Sequence, residues 1–305
     1  MRNLIRVLII GFVFVNSPVI ADEEPIPLKL EKALPVEGPE NIQPSGLAIC
    51  HNMLVTVSDK HDNTIFEVKL RDDKAVLVPY LQFKLSEPVT ESKLDFEGIT
   101  CDEMGNFYLI SETAFRILRV SAKGEEVSWI TPSLRSYGKE KGLFQVPNAY
   151  LEGIALRGPH KFVLAAERQP RGIMEVDIGK VPFEVRVFKN DTTQLTLPKG
   201  LNPDFSDLFV EDQGLYALER SAYAICKLVD TGQKFEERDC WSYKAIETRE
   251  ELQYLDMTFG KAEGLTMDKD HVFIILDNNN EARACDPNDR RPLLLIMERP
   301  IVKTW

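Results

Sequence analysis

Histidine is scarce in this chain, with four residues in 305. None of them forms a His-Glu-x-x-His pair, which argues against a zinc hydrolase built on that helix motif. No Cys-x-x-Cys occurs among the five cysteines, so their spacing does not suggest zinc either. A Gly-x-Ser-x-Gly elbow, a phosphate-binding glycine loop and a dinucleotide fingerprint are missing as well. Their absence removes the usual sequence signals of serine-nucleophile, nucleotide and nicotinamide chemistry. No dense Lys/Arg tract appears, and acidic residues outnumber basic ones by 48 to 37. Nucleic acids and anionic membranes are held by a basic face, so neither is an expected partner. The acidic balance suits cation binding instead.

The longest apolar run is also too short to cross a bilayer, which takes ~20 residues. It extends from Val7 to Val15, follows Arg2 and Arg6, and leads to Ser17-Pro18-Val19-Ile20-Ala21. A basic start, an apolar middle and a small residue at the cut make up a secretory signal peptide. The expectation is a signal peptide over 1–21 and a single domain over 22–305, periplasmic or secreted, without membrane attachment after cleavage. Export would place the cysteines in an oxidising compartment. Cys226 and Cys240 flank the turn signal Asp230-Thr231-Gly232-Gln233, and Cys50 and Cys101 hold nearly equivalent places in two repeats. Bridged and unbridged forms stay equally open, and the odd count leaves at least one thiol free.

What the chain has is a repeat. Five segments open on a short phrase, run through two short strands and close on an acid. They are Ser45-Gly46-Leu47 to Ser58-Asp59, Glu97-Gly98-Ile99 to Ser111-Glu112, Glu152-Gly153-Ile154 to Glu167-Arg168, Ser206-Asp207-Leu208 to Glu219-Arg220, and Glu263-Gly264-Leu265 to Asp277-Asn278. Successive starts lie 52, 55, 54 and 57 residues apart. The strands are short and rich in β-branched and aromatic residues, and Gly, Pro, Asp and Asn separate them. Third and fourth strands follow, as in Ile65–Leu70 and Val76–Leu81. Four antiparallel strands per repeat predict an all-β fold, a β-propeller of four-stranded antiparallel blades. Five blades fit best, with six blades and one degenerate copy as the alternative. A strand around Pro27–Leu34 is expected to join the last blade beside Leu293–Met297.

The first two strands of a blade form a hairpin, so the residue opening one and the residue closing the other lie at the same end. That geometry predicts an inner ring of Ser45, Glu97, Glu152, Ser206 and Glu263, surrounded by Asp59, Glu112, Glu167, Glu219 and Asp277, with Asp95 and Asp207 close by. Carboxylates converging on a narrow channel must hold protons or a compensating cation. Calcium accepts six to eight oxygen ligands in loose geometry, and the ligands expected are Glu97, Glu152, Glu263, Ser45, Ser206 and Asp207. The outer acids are expected chiefly to hold backbone amides between blades. The glycines after each Glu read as close backbone packing. Three histidines, His51, His160 and His271, fall in hairpin turns at the opposite end, and only His61 lies at the acidic one.

The phrases Asp95-Phe96-Glu97-Gly98-Ile99, Phe205-Ser206-Asp207-Leu208, Leu218-Glu219-Arg220-Ser221 and Leu276-Asp277-Asn278-Asn279 resemble the phytase-like propeller family known as "esterase-like activity of phytase". The Ser-Gly-Leu and Glu-Gly-Ile phrases are similar to those of SdiA-regulated propellers. The resemblance covers roughly residues 44–298. It implies an exported, calcium-binding propeller that hydrolyses a small ester or phosphoester. The first and fourth repeats depart from the pattern with Ser in place of Glu, and the net charge of −11 supplies no cationic rim for a phosphate-rich substrate. For a metal-assisted hydrolase, the candidate proton-transfer groups are Glu112, Glu167 and His61. Arg168 and Arg220 are candidate substrate clamps, unless ion pairs with neighbouring acids occupy them. Lys60, Arg116 and Arg283 sit in comparable loops. The alternative is a non-enzymatic propeller that binds a ligand or protein around a structural calcium. The connections Ser133–Tyr150 and Tyr243–Phe259 are where specificity would reside, and Asn190-Asp191-Thr192 matches a glycosylation acceptor.

Overall fold

The computed structural model describes residues 24–85 and 93–300. The expected signal peptide over 1–21 lies outside the described residues. Two N-terminal strands, β1 (Ile26–Pro27) and β2 (Lys29–Glu37), precede the repeats. The first repeat contains β3 (Pro44–Cys50), β4 (Met53–Ser58), β5 (Thr64–Leu70) and β6 (Ala75–Gln82). The second contains β7 (Phe96–Cys101), β8 (Phe107–Ser111), β9 (Arg116–Val120) and β10 (Val127–Trp129). A short helix, α1 (Arg135–Glu140), leads to β11 (Leu151–Leu156), β12 (Lys161–Ala166), β13 (Gly172–Asp177) and β14 (Glu184–Lys189). The fourth repeat supplies β15 (Phe205–Glu211), β16 (Gly214–Glu219), β17 (Ala224–Asp230) and β18 (Phe235–Ser242). After α2 (Lys244–Glu247) come β19 (Ala262–Met267), β20 (His271–Leu276) and β21 (Leu293–Glu298).

Each repeat folds as an antiparallel meander, so the fold is all-β and built from four-stranded sheets. The last repeat has three strands of its own. Strand β2 completes it, pairing antiparallel with β21 from Lys29↔Glu298 to Pro35↔Leu293. This is the edge closure expected of the N-terminal strand, with the observed strand reaching three residues beyond Leu34. At its far end β2 also pairs in parallel with β6, at Val36↔Ala75 and Glu37↔Val76, so the first and last repeats join in one eight-stranded sheet. The innermost strands touch in the order β3, β7, β11, β15, β19 and back to β3.

Apolar side chains fill the gaps between neighbouring sheets, as the period-2 alternation of the strands requires. Val55, Phe96 and Leu109 pack between the first two repeats; Ile110, Ile154 and Leu164 pack between the next two. Phe66, Ile275 and Leu294 fill the seam where the chain closes on itself. Cys50 and Cys101 are bridged, tying β3 to β7, and Cys226–Cys240 bridges neighbouring β17 and β18. Cys285 is the free cysteine. Asn190 is buried, and its amide donates to the Phe235 carbonyl, so the Asn190-Asp191-Thr192 pattern is a packing contact between sheets rather than an exposed acceptor. Among the described residues no helix is long and apolar enough to cross a membrane.

Candidate functional site

A β-bulge at the opening phrase of every repeat aims the acids. Pairing jumps from Phe96↔Ser111 to Gly98↔Ile110, leaving Glu97 in the bulge, and likewise from Ala262↔Leu276 to Gly264↔Ile275 around Glu263. The same break falls at Ser45-Gly46, Glu152-Gly153 and Ser206. A bulge bends a strand and re-aims one side chain, which turns these residues toward the end of the channel. The glycine beside the acid is required by close approach. A Cβ on Gly98 would lie 2.7 Å from the Glu152 carbonyl oxygen, and one on Gly264 would lie 2.6 Å from that of Ser45.

In the fourth repeat Asp207 stands where the other four have a glycine, and its side chain crosses the channel. Its carboxylate accepts the amides of Leu208 (2.8 Å), Leu265 (2.7 Å) and Leu47 (3.3 Å), joining three inner strands. Burial raises the Asp207 carboxyl well above the ordinary range, and the three amides oppose that rise.

At the mouth, one carboxylate oxygen each from Glu112, Glu152 and Glu167 lie within 4.8 Å of one another. Glu167 is buried, and its Oε2 has no hydrogen-bond partner among the described residues. The trio joins one inner acid to two outer ones, whereas the sequence points to Glu97, Glu152 and Glu263. Burial raises the Glu97 and Glu152 carboxyls well above the ordinary range, and the charges of neighbouring acids raise both further. A hydrogen bond with Ser45 acts against the rise at Glu97. Glu112 is pushed up to about 7, by burial first and then by Asp95, while an amide bond from Tyr150 opposes the shift. Asp277 is likewise raised to about 7 by burial and then by Glu263. Hard oxygen donors gathered this closely, with a buried one unpartnered, fit a hard divalent cation.

The mouth also holds its own cations. Arg220 donates to Glu167 (2.6 Å), to Asp204 (2.9 Å) and to Glu263. Burial raises Glu263 to about 6, with Arg220 opposing. Arg168 pairs with Glu167 and donates to the Asn148 carbonyl at 3.0 Å. Lys60 pairs with Asp59. Beneath this layer Arg171, almost fully buried, joins Glu219 and Glu237 (2.6 Å) and lies 4.1 Å from the centre of the Phe205 ring. Glu219 accepts the Asp204 amide at 2.7 Å, the backbone-holding part expected of an outer acid.

The remaining candidates spread more widely. Ser206 is buried, and its Oγ has no hydrogen-bond partner among the described residues. His61 packs edge-on against Phe66, and its buried Nε2 likewise has none among them. Arg116 lies over Trp129, and buried Arg283 donates to the Leu252 carbonyl, so both are held by nearby structure. His271 sits beside Glu31 and Asp268 in its β19–β20 hairpin.

Sequence reasoning passed over Asp204, Arg171 and Glu247. Asp204-Phe205-Ser206 aligns with Asp95-Phe96-Glu97, so the repeat itself held the signal for Asp204. The structure bears this out, because Glu112 donates its amide to the Asp95 carbonyl as Arg220 does to that of Asp204. Glu247, on α2, is fully buried, is raised to about 7 by burial, and accepts the Lys261 amide at 2.7 Å. Nothing in a four-residue helix outside the repeats marks it.

The glutaminyl cyclase of Myxococcus xanthus has a similar structure (TM-score 0.53, 13% identity), covering 90% of this chain and 97% of the cyclase. The PQQ-bound aldose sugar dehydrogenase of Streptomyces coelicolor follows at a TM-score of 0.47 and 11% identity, over 89% and 98% of the two chains. The cyclase is a propeller-type protein, and at 13% identity the likeness is one of fold. No curated protein matches the sequence. The model of the phytase-like family, "esterase-like activity of phytase", matches residues 44–280, and the chain belongs to that family.

Proposed function

We propose that this protein is an exported five-bladed propeller that binds calcium at one mouth of its channel and hydrolyses a small ester or phosphoester. The five repeats and the closed order of innermost strands support five blades. Export rests on the basic, apolar and small-residue order of residues 1–21. The observation that carries the site is the convergence of Glu112, Glu152 and Glu167, with a buried, unpartnered Glu167 oxygen.

Those three carboxylates would hold the ion, with Glu97 beside them as a further oxygen donor. When bound, calcium supplies Lewis-acid polarisation of the substrate oxygen. The chain's own residues do the rest. Arg220 and Arg168 fix Glu167 from one side, so its free oxygen has a defined direction. Glu97, raised by burial and held by Ser45, is the carboxyl beside the trio that would take up and return a proton. For a carboxylic ester, water adds to the carbonyl carbon and the bond to the alcohol oxygen breaks. One proton of that water would pass through the carboxyl to the departing alcohol oxygen, and the other would stay on the product acid, which releases it to solvent.

One observation favours a non-enzymatic binding propeller with a structural ion: both candidate phosphate clamps, Arg168 and Arg220, are paired with acids. Calorimetric calcium titration of the mature protein and of Glu112→Gln/Glu152→Gln, alongside turnover of ester and phosphoester chromogens, separates the readings. The hydrolase reading expects one ion in the wild type, at least a tenfold loss of affinity in the variant, and calcium-dependent turnover. Calcium binding without turnover of either class would leave the binding propeller.

A further inference from the structure

The segment between α2 and β19 presents an apolar surface at the acidic end. Leu255 is 64% exposed and Phe259 46%, among the most exposed large apolar residues of the fold. Single exposed apolar residues are ordinary, but this segment is firmly anchored. The Leu255 amide donates to the Ala282 carbonyl (2.9 Å) and the Ala284 amide to the Gln253 carbonyl (2.9 Å). Arg283 donates to the Leu252 carbonyl (2.8 Å), and the Tyr254 hydroxyl to the Arg291 carbonyl (3.0 Å). Leu252 and Tyr254 are buried beneath, so the alternation of the segment sends Leu255 outward from a fixed base.

The segment also touches the site. A Cβ on Gly260, next to Phe259, would lie 2.6 Å from the Arg220 carbonyl oxygen and 3.2 Å from its Cγ. Arg220 in turn holds Glu167 and Glu263. The apolar lip and the carboxylate trio are therefore linked through one arginine.

Charge narrows the occupant. Carboxylates crowd the mouth, its arginines are paired with acids, and the segment itself adds an exposed Asp256. A polyphosphorylated substrate would meet repulsion there, and the two guanidiniums that reach the trio, Arg168 and Arg220, are already paired with acids. An uncharged ester would meet neither penalty, and its hydrocarbon arm would gain by covering Leu255 and Phe259.

We infer that the 252–260 segment is a specificity lip that seats the apolar arm of an uncharged carboxylic ester, and that polyphosphate esters are excluded. The inference deepens the hydrolase reading and rests on it for the reacting bond. Its test is binding of uncleaved isosteres, straight-chain amides from butanamide to octanamide, to the mature protein with calcium. Affinity should rise about two- to fourfold per methylene, and Leu255→Ser/Phe259→Ser should flatten the series without changing the melting temperature. Inositol hexakisphosphate should not bind. A flat wild-type series, a slope retained in the double variant, or hexakisphosphate binding tighter than octanamide would each overturn the lip. If the slope appears while p-nitrophenyl octanoate stays uncut, the lip stands and hydrolysis falls.

Discussion

Two groups of acids meet at the mouth: Arg220 joins Glu167, Asp204 and Glu263 in ion pairs, while Glu97, Glu112 and Glu152 form no salt bridge among the described residues, Arg220 reaching Glu152 through its charge alone. Both groups come from the same repeat, with the same bulge and the same hairpin. They differ in the residue that follows the last paired residue of the second strand. It is Glu112 in the second repeat and Glu167 in the third, but Arg220 in the fourth. One guanidinium thus converts a ring position from a cation-seeking carboxylate into a member of a buried ion network. The repeat sets where acids stand, and the residue beside them sets what each does.

The comparison predicts its largest effect at Arg220. Arg220→Met removes the partner of three buried or nearly buried acids, and breaking such a pair costs about 3–5 kcal/mol. Equilibrium denaturation in chelator should show that loss. Glu152→Gln, which breaks no ion pair, should cost little there or stabilise the protein. Equal losses at the two positions would mean that the two groups are not electrostatically different.

How far these features can be read in the sequence follows the same division. The strands, the bulged Glu-Gly phrase and the closing N-terminal strand were legible, because each is a local pattern repeated in register. The convergence of acids at one end was legible from hairpin geometry alone. Which three meet most closely was not, since Glu112 and Glu167 reach the trio from second strands while Glu263 is turned to Arg220. That choice depends on side-chain direction and on a competing cation from another repeat. Asp207 shows the same limit. Its place in the phrase suggests a ligand, but lacking a glycine there it reaches across to two other inner strands. Arg171 and Glu247 act through tertiary contacts with no repeating counterpart.

A designed arginine sharpens the comparison. Thr113 occupies the place of Arg168, with its hydroxyl donating to the Lys93 carbonyl at 2.8 Å. Thr113→Arg should pair with the neighbouring acids and stabilise the calcium-free protein by about 1 kcal/mol, the scale of a partly exposed ion pair. It should also weaken calcium binding by about tenfold through like-charge repulsion. Stabilisation in chelator with unchanged calcium affinity would place the ion elsewhere.

The smallest effect lies in the pH dependence of the calcium-free protein. Glu112 and Asp277 are raised to about 7 and Glu263 to about 6, so the folded state holds protons that the unfolded chain has lost above about pH 4.5. The unfolded state binds fewer protons in that window, and stability must therefore fall as pH rises from about 5 to 7. Glu112→Gln removes one contributor, and the slope should become shallower by at most about 1.4 kcal/mol per pH unit. Arg220 already compensates Glu263, so Glu263→Gln should relieve the slope less than Glu112→Gln does. Melting curves from pH 5 to 8 in chelator would measure both. If Glu263→Gln relieved the slope more, the arginine would not be the residue that separates the two groups.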